Sequence, residues 1–223
     1  MRPKRIILIR HGESESNVDK AIYCTKPDYT LELTSKGINQ ADEAGIKLKE
    51  LVGDENICFY ISPYWRSRNT FEQVVKHFDK NKVQWREEPR IREQEWGYVK
   101  DPAVNIEMEK ERAAFGTFYF RLPNGESGAD VYDRVSDFFG TLHRDFEKAD
   151  FPSDAVIITH GMTIRTFLMR WFHWTVEQFE AYANPTNCQV LVLEKGEDAK
   201  YHLLTELPKR NVGHQYQRPT IIK

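Results

Sequence analysis

Two stretches of the chain set a histidine and a glycine directly after a run of branched apolar residues. Ile6-Ile7-Leu8-Ile9 leads into Arg10-His11-Gly12-Glu13, and Val156-Ile157-Ile158-Thr159 leads into His160-Gly161. Apolar runs without alternation read as strands covered on both faces, so each histidine falls at the carboxyl end of a buried strand. Open α/β sheets form their ligand crevices at that end. The glycine after each histidine lets the chain turn sharply and bring backbone N–H groups to an anion at a helix N-terminus. One such segment alone reads equally well as a hydrogen-bonded residue at the rim of a core. Two in one chain point to a pocket that both imidazoles face.

A third strand end adds charge. Ile57 to Ile61 is followed by Ser62-Pro63-Tyr64-Trp65-Arg66-Ser67-Arg68-Asn69-Thr70. Arginine in the first turn of a helix opposes the helix dipole unless an anion binds there, which singles out Arg66 and leaves Arg68 as a surface residue. A guanidinium can hold two phosphate oxygens at once, and Arg10 with Arg66 would neutralise a dianion. A metal site is the main rival, since His11-Gly12-Glu13 sets a carboxylate near an imidazole. Yet no HExxH pair occurs, and Arg10 would repel a cation, so neither metal nor cofactor is expected. A leaving oxygen also needs a proton. Arg92-Glu93-Gln94-Glu95-Trp96-Gly97 offers two carboxylates, which burial beside Trp96 would push up in pKa and the nearby arginines would push down. The physics of the residues leaves Glu93 and Glu95 as equal candidates.

Elements that could position these groups recur along the chain. Strands are expected at Arg5 to Ile9, Ile57 to Ile61, Val83 to Trp85, Ala155 to Thr159, Cys188 to Leu193 and Tyr201 to Leu204. Helical spacing fills the intervals, from a Thr34 cap to a Gly53 stop, then Arg66 to Phe78, Asp130 to Phe146 and Thr163 to Trp174. This alternation predicts an α/β fold, a three-layer α/β/α sandwich around a mostly parallel central sheet of about six strands. Residues 1–208 form one expected domain, with 98–128 as a lid insertion carrying a charged helical stretch near Asn105 to Arg112 and an aromatic run, Phe115 to Phe120. That run reads as packing for the lid, or as a ridge against a ring-bearing substrate. The polar tail, 209–223, reads as a flexible extension or a strap over the surface.

Composition narrows the partners. With 32 basic and 34 acidic residues in 223, bulk charge gives no support to a nucleic-acid or membrane partner, and any anion site must be local. Cys24, Cys58 and Cys188 are few, odd in number and scattered, which fits a reducing, cytoplasmic setting. The basic N-terminus precedes an apolar run too short for a signal peptide or a membrane span. The partner expected is a small phosphorylated molecule. The oligomeric state is open, a dimer included.

Taken in order, Arg10-His11-Gly12-Glu13, Ser62-Pro63-x-x-Arg66-x-x-x-Thr70, Arg92-Glu93-x-x-x-Gly97, Gly125-Glu126-Ser127 with Asp130 and Arg134, and Thr159-His160-Gly161 resemble the histidine phosphatase superfamily. The likeness is to its phosphoglycerate mutase-like branch and runs from Arg5 to about Leu193. It implies that His11 is the phosphorylated nucleophile, that Arg10, Arg66 and His160 hold the phosphoryl group, and that Glu93 is the proton donor. It also puts Asn17 and the backbone N–H of Met162 beside the phosphate. Where mutases of this branch carry a Thr-Gly-Trp type loop, this chain reads Ile22-Tyr23-Cys24-Thr25-Lys26-Pro27, which makes Tyr23 a substrate-side residue. Lys110, Arg112 and Arg121 are too scattered to read as a paired-arginine clamp. Hydrolysis of small phosphate monoesters is therefore expected over mutase-type transfer, a weakly active phosphate-binding regulatory module being a further alternative.

Overall fold

A computed structural model of the chain describes residues 2–98 and 101–210. Six strands, β1 Arg5–Arg10, β2 Ile57–Ile61, β3 Val83–Glu87, β4 Asp154–Thr159, β5 Val190–Lys195 and β6 Tyr201–Leu203, form one sheet in the order β3-β2-β4-β1-β5-β6. The four strands from β3 to β1 run parallel, whereas β5 and β6 add an antiparallel edge. Seven α-helices accompany them among the described residues: α1 Glu15–Val18, α2 Ser35–Val52, α3 Trp65–Val74, α4 Pro102–Phe115, α5 Gly128–Phe146, α6 Gly161–Phe172 and α7 Val176–Glu180. None of the described helices is long and apolar enough to cross a membrane.

Period-two alternation along the central strands divides the core between two faces. Ile6, Leu8, Tyr60, Ala155 and Ile157 face α5 and α6, where Val131, Phe138, Leu142, Ile164 and Phe167 meet them. Ile7, Ile9, Phe59, Val156 and Ile158 face α2 and α3, with Leu48, Val52, Phe71 and Val74. All these residues are nearly or fully buried, and each large apolar side chain removed from water contributes roughly 1.5–3 kcal/mol. Coverage on both faces explains why β1 and β4 are apolar at successive positions.

Boundaries moved where local geometry intervened. The α2 caps fall as expected, Thr34 Oγ1 accepting from the Gly37 N–H at 3.0 Å and Gly53 closing the helix at φ 66°. β5 starts at Val190 and not at Cys188, because Cys188 sits at φ 55°, outside strand geometry. α3 tightens after Val74 into a single 3₁₀ turn, Val75–His77, and Phe78 is already extended. Lys209 bridges Tyr182, and the Arg210 N–H donates to the Ala181 carbonyl at 2.8 Å, so the first residues of the expected tail are zipped onto the body. The rest of that tail, 211–223, lies outside the described residues.

Candidate active site

The carboxyl ends of β1 and β2 open on one pocket of about 660 Å³ whose walls include Arg10, His11, Asn17, Tyr23, Arg66 and Glu93, while His160, at the end of β4, is fully buried and outside that wall. His11 and His160 lie at adjacent strand ends, their ring centroids 5.1 Å apart. Neither Gly12 nor Gly161 adopts a positive φ. What each supplies is room: a Cβ on Gly12 would stand 2.4 Å from the Gly37 carbonyl oxygen, and one on Gly161 2.7 Å from the Asn184 side chain. The turn after β1 therefore packs directly on the first turn of α2, and the Gly12 N–H donates to Thr70 Oγ1 at 3.0 Å.

His11 is buried, with its Nδ1 2.7 Å from the Gly12 carbonyl. A carbonyl only accepts, so Nδ1 carries the proton and Nε2 carries the lone pair. Burial, then Arg66 and Arg10, hold its pKa well below the ordinary imidazole value, and the ring is neutral. His160 is held down in the same way, by burial first and then by Arg66 and His11. Its Nε2 meets Ser62 Oγ at 2.7 Å, while its buried Nδ1 finds no partner among the described residues. If Ser62 donates to Nε2, a neutral His160 presents an N–H at Nδ1 as an unused donor.

Arg66 is 2% exposed and donates through Nη1 to the carbonyl and to the carboxylate of Asp28, each at 2.8 Å. Burial works against its charge, but Asp28 outweighs that and raises its pKa above the ordinary value. Arg10 reaches the Pro185 carbonyl at 2.7 Å through Nη1, and its buried Nε is unpartnered among the described residues. The Asn17 Oδ1 accepts from the Ser14 N–H and from Asn187 Nδ2 at 3.1 and 3.0 Å, which commits the amide oxygen and leaves its NH₂ available. Tyr23 stacks near Trp96, and burial pushes its phenol up to about 12.

Glu93 lines the pocket, and exposed Glu95 is absent from that lining. The loop carrying Glu93 is riveted from below: Arg134 donates to the carbonyls of Arg90, Arg92 and Glu93 at 2.6, 2.8 and 3.0 Å, and Glu126 holds both Arg134 and the Glu95 N–H. The Met162 N–H, expected at the phosphate, is turned to Glu93 Oε2 at 3.4 Å, and the Met162 side chain packs in the core. The aromatic run departs from the ridge reading as well. Phe118 packs on Phe179 within the core, Phe115 and Tyr119 are exposed, and of residues 115–120 Thr117 alone lines the pocket.

Sequence reasoning missed three contributors. Asp28 is a lone acidic residue opening a single 3₁₀ turn, Asp28–Thr30, with no periodic signal. Arg112, one of the three scattered basic residues, turns inward from α4, while Lys110 pairs with Glu107 and Arg121 with Asp130. Arg210 also enters the pocket wall, delivered by the zipped segment after β6. No group of three or more His, Cys, Asp or Glu side chains among the described residues is arranged to hold a metal ion.

Comparison with known proteins gives a consistent picture. A family model described as histidine phosphatase superfamily, branch 1, matches residues 6–206. The phosphoglycerate mutase-like protein AT74 of Arabidopsis thaliana is 45% identical over 214 residues, covering 90% of this chain and 68% of that protein. The broad-range acid phosphatase DET1 of Saccharomyces cerevisiae is 33% identical, covering 93% of this chain and 90% of its own. Among solved structures, a mycobacterial glucosyl-3-phosphoglycerate phosphatase in complex with VO3 superposes with a TM-score of 0.71 at 19% identity, over 92% of this chain and 99% of that one, a likeness of fold.

Proposed function

The chain belongs to the histidine phosphatase superfamily, and from that premise we propose that it hydrolyses small phosphate monoesters through a phosphohistidine on His11. One observation carries the reading: the Gly12 carbonyl fixes Nδ1 as the protonated nitrogen, so Nε2 attacks from a pocket walled by Arg10 and Arg66. As Nε2 bonds to phosphorus, the ester oxygen leaves and takes a proton from Glu93. Water then attacks the phosphohistidine, Glu93 recovers its proton from that water, and phosphate departs. Arg10, Arg66, the Asn17 amide and the His160 Nδ1–H meet the transferring oxygens, acting as charges and donors already in place. The name of the yeast relative supports hydrolysis. Transfer to a second hydroxyl, as in a mutase, is the alternative, and the inward-facing Arg112 is the observation that favours it. Rapid quench with a labelled ester tests the mechanism: the label is expected on His11 in an acid-labile, base-stable linkage, and a label on Ser14 or Ser62 would overturn it. Phosphate release measured beside 2- and 3-phosphoglycerate interconversion, on one preparation, separates hydrolysis from transfer.

The depressed His11 pKa gives a pH prediction. Burial, Arg66 and Arg10 hold its pKa well below the ordinary imidazole value, so the nucleophile stays neutral as pH falls through that ordinary value. In kcat/KM, which reports the free enzyme, no acidic limb centred near 6.5 is expected after correction for the substrate's own ionisation. A fall centred there would mean that His11 titrates as an exposed imidazole does.

A further inference from the structure

A second cavity, of about 400 Å³, opens beside the catalytic pocket and shares Tyr23, Trp96 and Gly97 with it. Three segments converge on it: the turn Asp28–Thr30, Tyr64 ahead of α3, and the loop from Glu95 to Tyr98. Five of its wall residues are aromatic. Tyr64 is buried, Tyr23 and Trp96 belong also to the catalytic pocket, and exposed Tyr29 and Tyr98 complete the set.

Two carboxylates, Asp28 and Glu95, and one ammonium, Lys26, supply the charge of this wall among the described residues. Lys26 is already matched, by Glu15 at 2.6 Å. Asp28 gives Oδ1 to Arg66, while its Oδ2 is buried with no hydrogen-bond partner among the described residues. Glu95 forms no ion pair among the described residues, and its field reaches Tyr64. Burial first, then Asp28 and Glu95, push the Tyr64 phenol above its ordinary value, against the opposing pull of Arg66 and Arg92. The Tyr64 hydroxyl, on a residue only 6% exposed, also lacks a hydrogen-bond partner among the described residues.

Such a wall discriminates among occupants. An anion meets two carboxylates. A hard metal ion takes oxygen ligands in number and gains little from indole and phenol rings. An uncharged apolar group would cover the Asp28 oxygen and the Tyr64 hydroxyl without satisfying either, which is costly. An alkylated ammonium suits both features, because its charge is drawn to ring faces and carboxylates while its carbon atoms fill the apolar contact. Guanidinium groups of the catalytic pocket already lie over Tyr64 and Trp96, Arg66 and Arg112 each 4.9 Å from the ring centre, so Tyr29 and the carboxylates carry most of the attraction.

We propose that this second cavity binds a small alkylammonium ion of about the size of choline, with Glu95 and Asp28 as counter-charge and Tyr29, Tyr64 and Trp96 as its cage. The ion is either free or the far end of a phosphate monoester whose phosphoryl group lies at His11, and only the second form rests on the hydrolytic reading.

Calorimetry with choline and with 3,3-dimethylbutan-1-ol, its uncharged isostere, tests the site with no phosphoryl group present. Choline is expected to bind about tenfold or more tightly than the alcohol, as ring and carboxylate contacts to a cation permit. Glu95→Gln and Tyr29→Ala, both at exposed positions, should each erase most of that preference without lowering the melting temperature. Should one variant melt early, the other decides. Equal affinity for the two probes would overturn the cage, and so would a preference that both variants keep in full. Phosphocholine against 3,3-dimethylbutyl phosphate, on the His11→Ala chain, then separates the sources. A matching preference puts the ion on the substrate, and equal binding assigns the cage to a free ammonium ion. Should the wild-type chain release no phosphate while choline still binds, the hydrolytic reading fails and the cage does not.

Discussion

Replacing His11 with alanine is expected to lower phosphate release from p-nitrophenyl phosphate by about 10⁴-fold or more, because the covalent route is lost and water must attack unaided. The drop should appear in kcat and kcat/KM alike. The fold should survive, since the His11 ring faces the pocket and the His160 ring, while the turn around it is held by backbone contacts, the Gly12 N–H to Thr70 and the Cys188 N–H to the Arg10 carbonyl at 3.0 Å. Steady-state assays beside a circular dichroism melt check both points. Residual activity within tenfold of wild type, with the melt unchanged, would remove His11 from the reaction.

The second large effect depends on the leaving group. An alkoxide needs a proton as it departs and a nitrophenolate scarcely does, so Glu93→Gln should slow alkyl phosphates by about 10²–10⁴-fold. The nitrophenyl ester should lose at least tenfold less. Glu95→Gln should act weakly on both, because Glu95 is exposed and outside the His11 pocket wall. Parallel kinetics on both substrates decide the matter. Equal losses with the two leaving groups would give Glu93 a positioning or binding role instead.

The strand ends around His11 were legible because their parts obey local rules. An unbroken apolar run marks a strand covered on both faces, and a His-Gly after it marks a strand end packed tightly on a helix. Arg66 was legible through its conflict with a helix dipole. Glu93 and Glu95 could not be separated so easily, because two residues apart in irregular backbone carries no facing rule. Their difference is imposed from outside the loop, by Arg134 on three carbonyls and by Glu126 on the Glu95 N–H. Arg112 and Arg210 were opaque for a related reason. Arg210 enters the wall through a bridge between Tyr182 and Lys209, a pairing no periodicity announces, and Arg112 differs from Lys110 only in which way α4 turns it. The aromatic run admitted two readings, and packing, not a substrate ridge, is the one Phe118 follows, since aromatic residues serve cores more often than ligands.

The strand order has a consequence for how the protein is made. β1 pairs with β4 on one side and β5 on the other, both from the last third of the chain, and its Arg5 meets Asp154 at 2.6 Å. During synthesis β1, with the apolar side chains of Ile6 to Ile9 and its open backbone edges, has no sheet partner until residues from 154 onward leave the ribosome. Pairing at such sequence separation is slow, and exposed strand edges invite association with other chains. His11 is thus translated well ahead of its own surroundings, so an interrupted chain ending before His160 carries His11 but not the pocket around it.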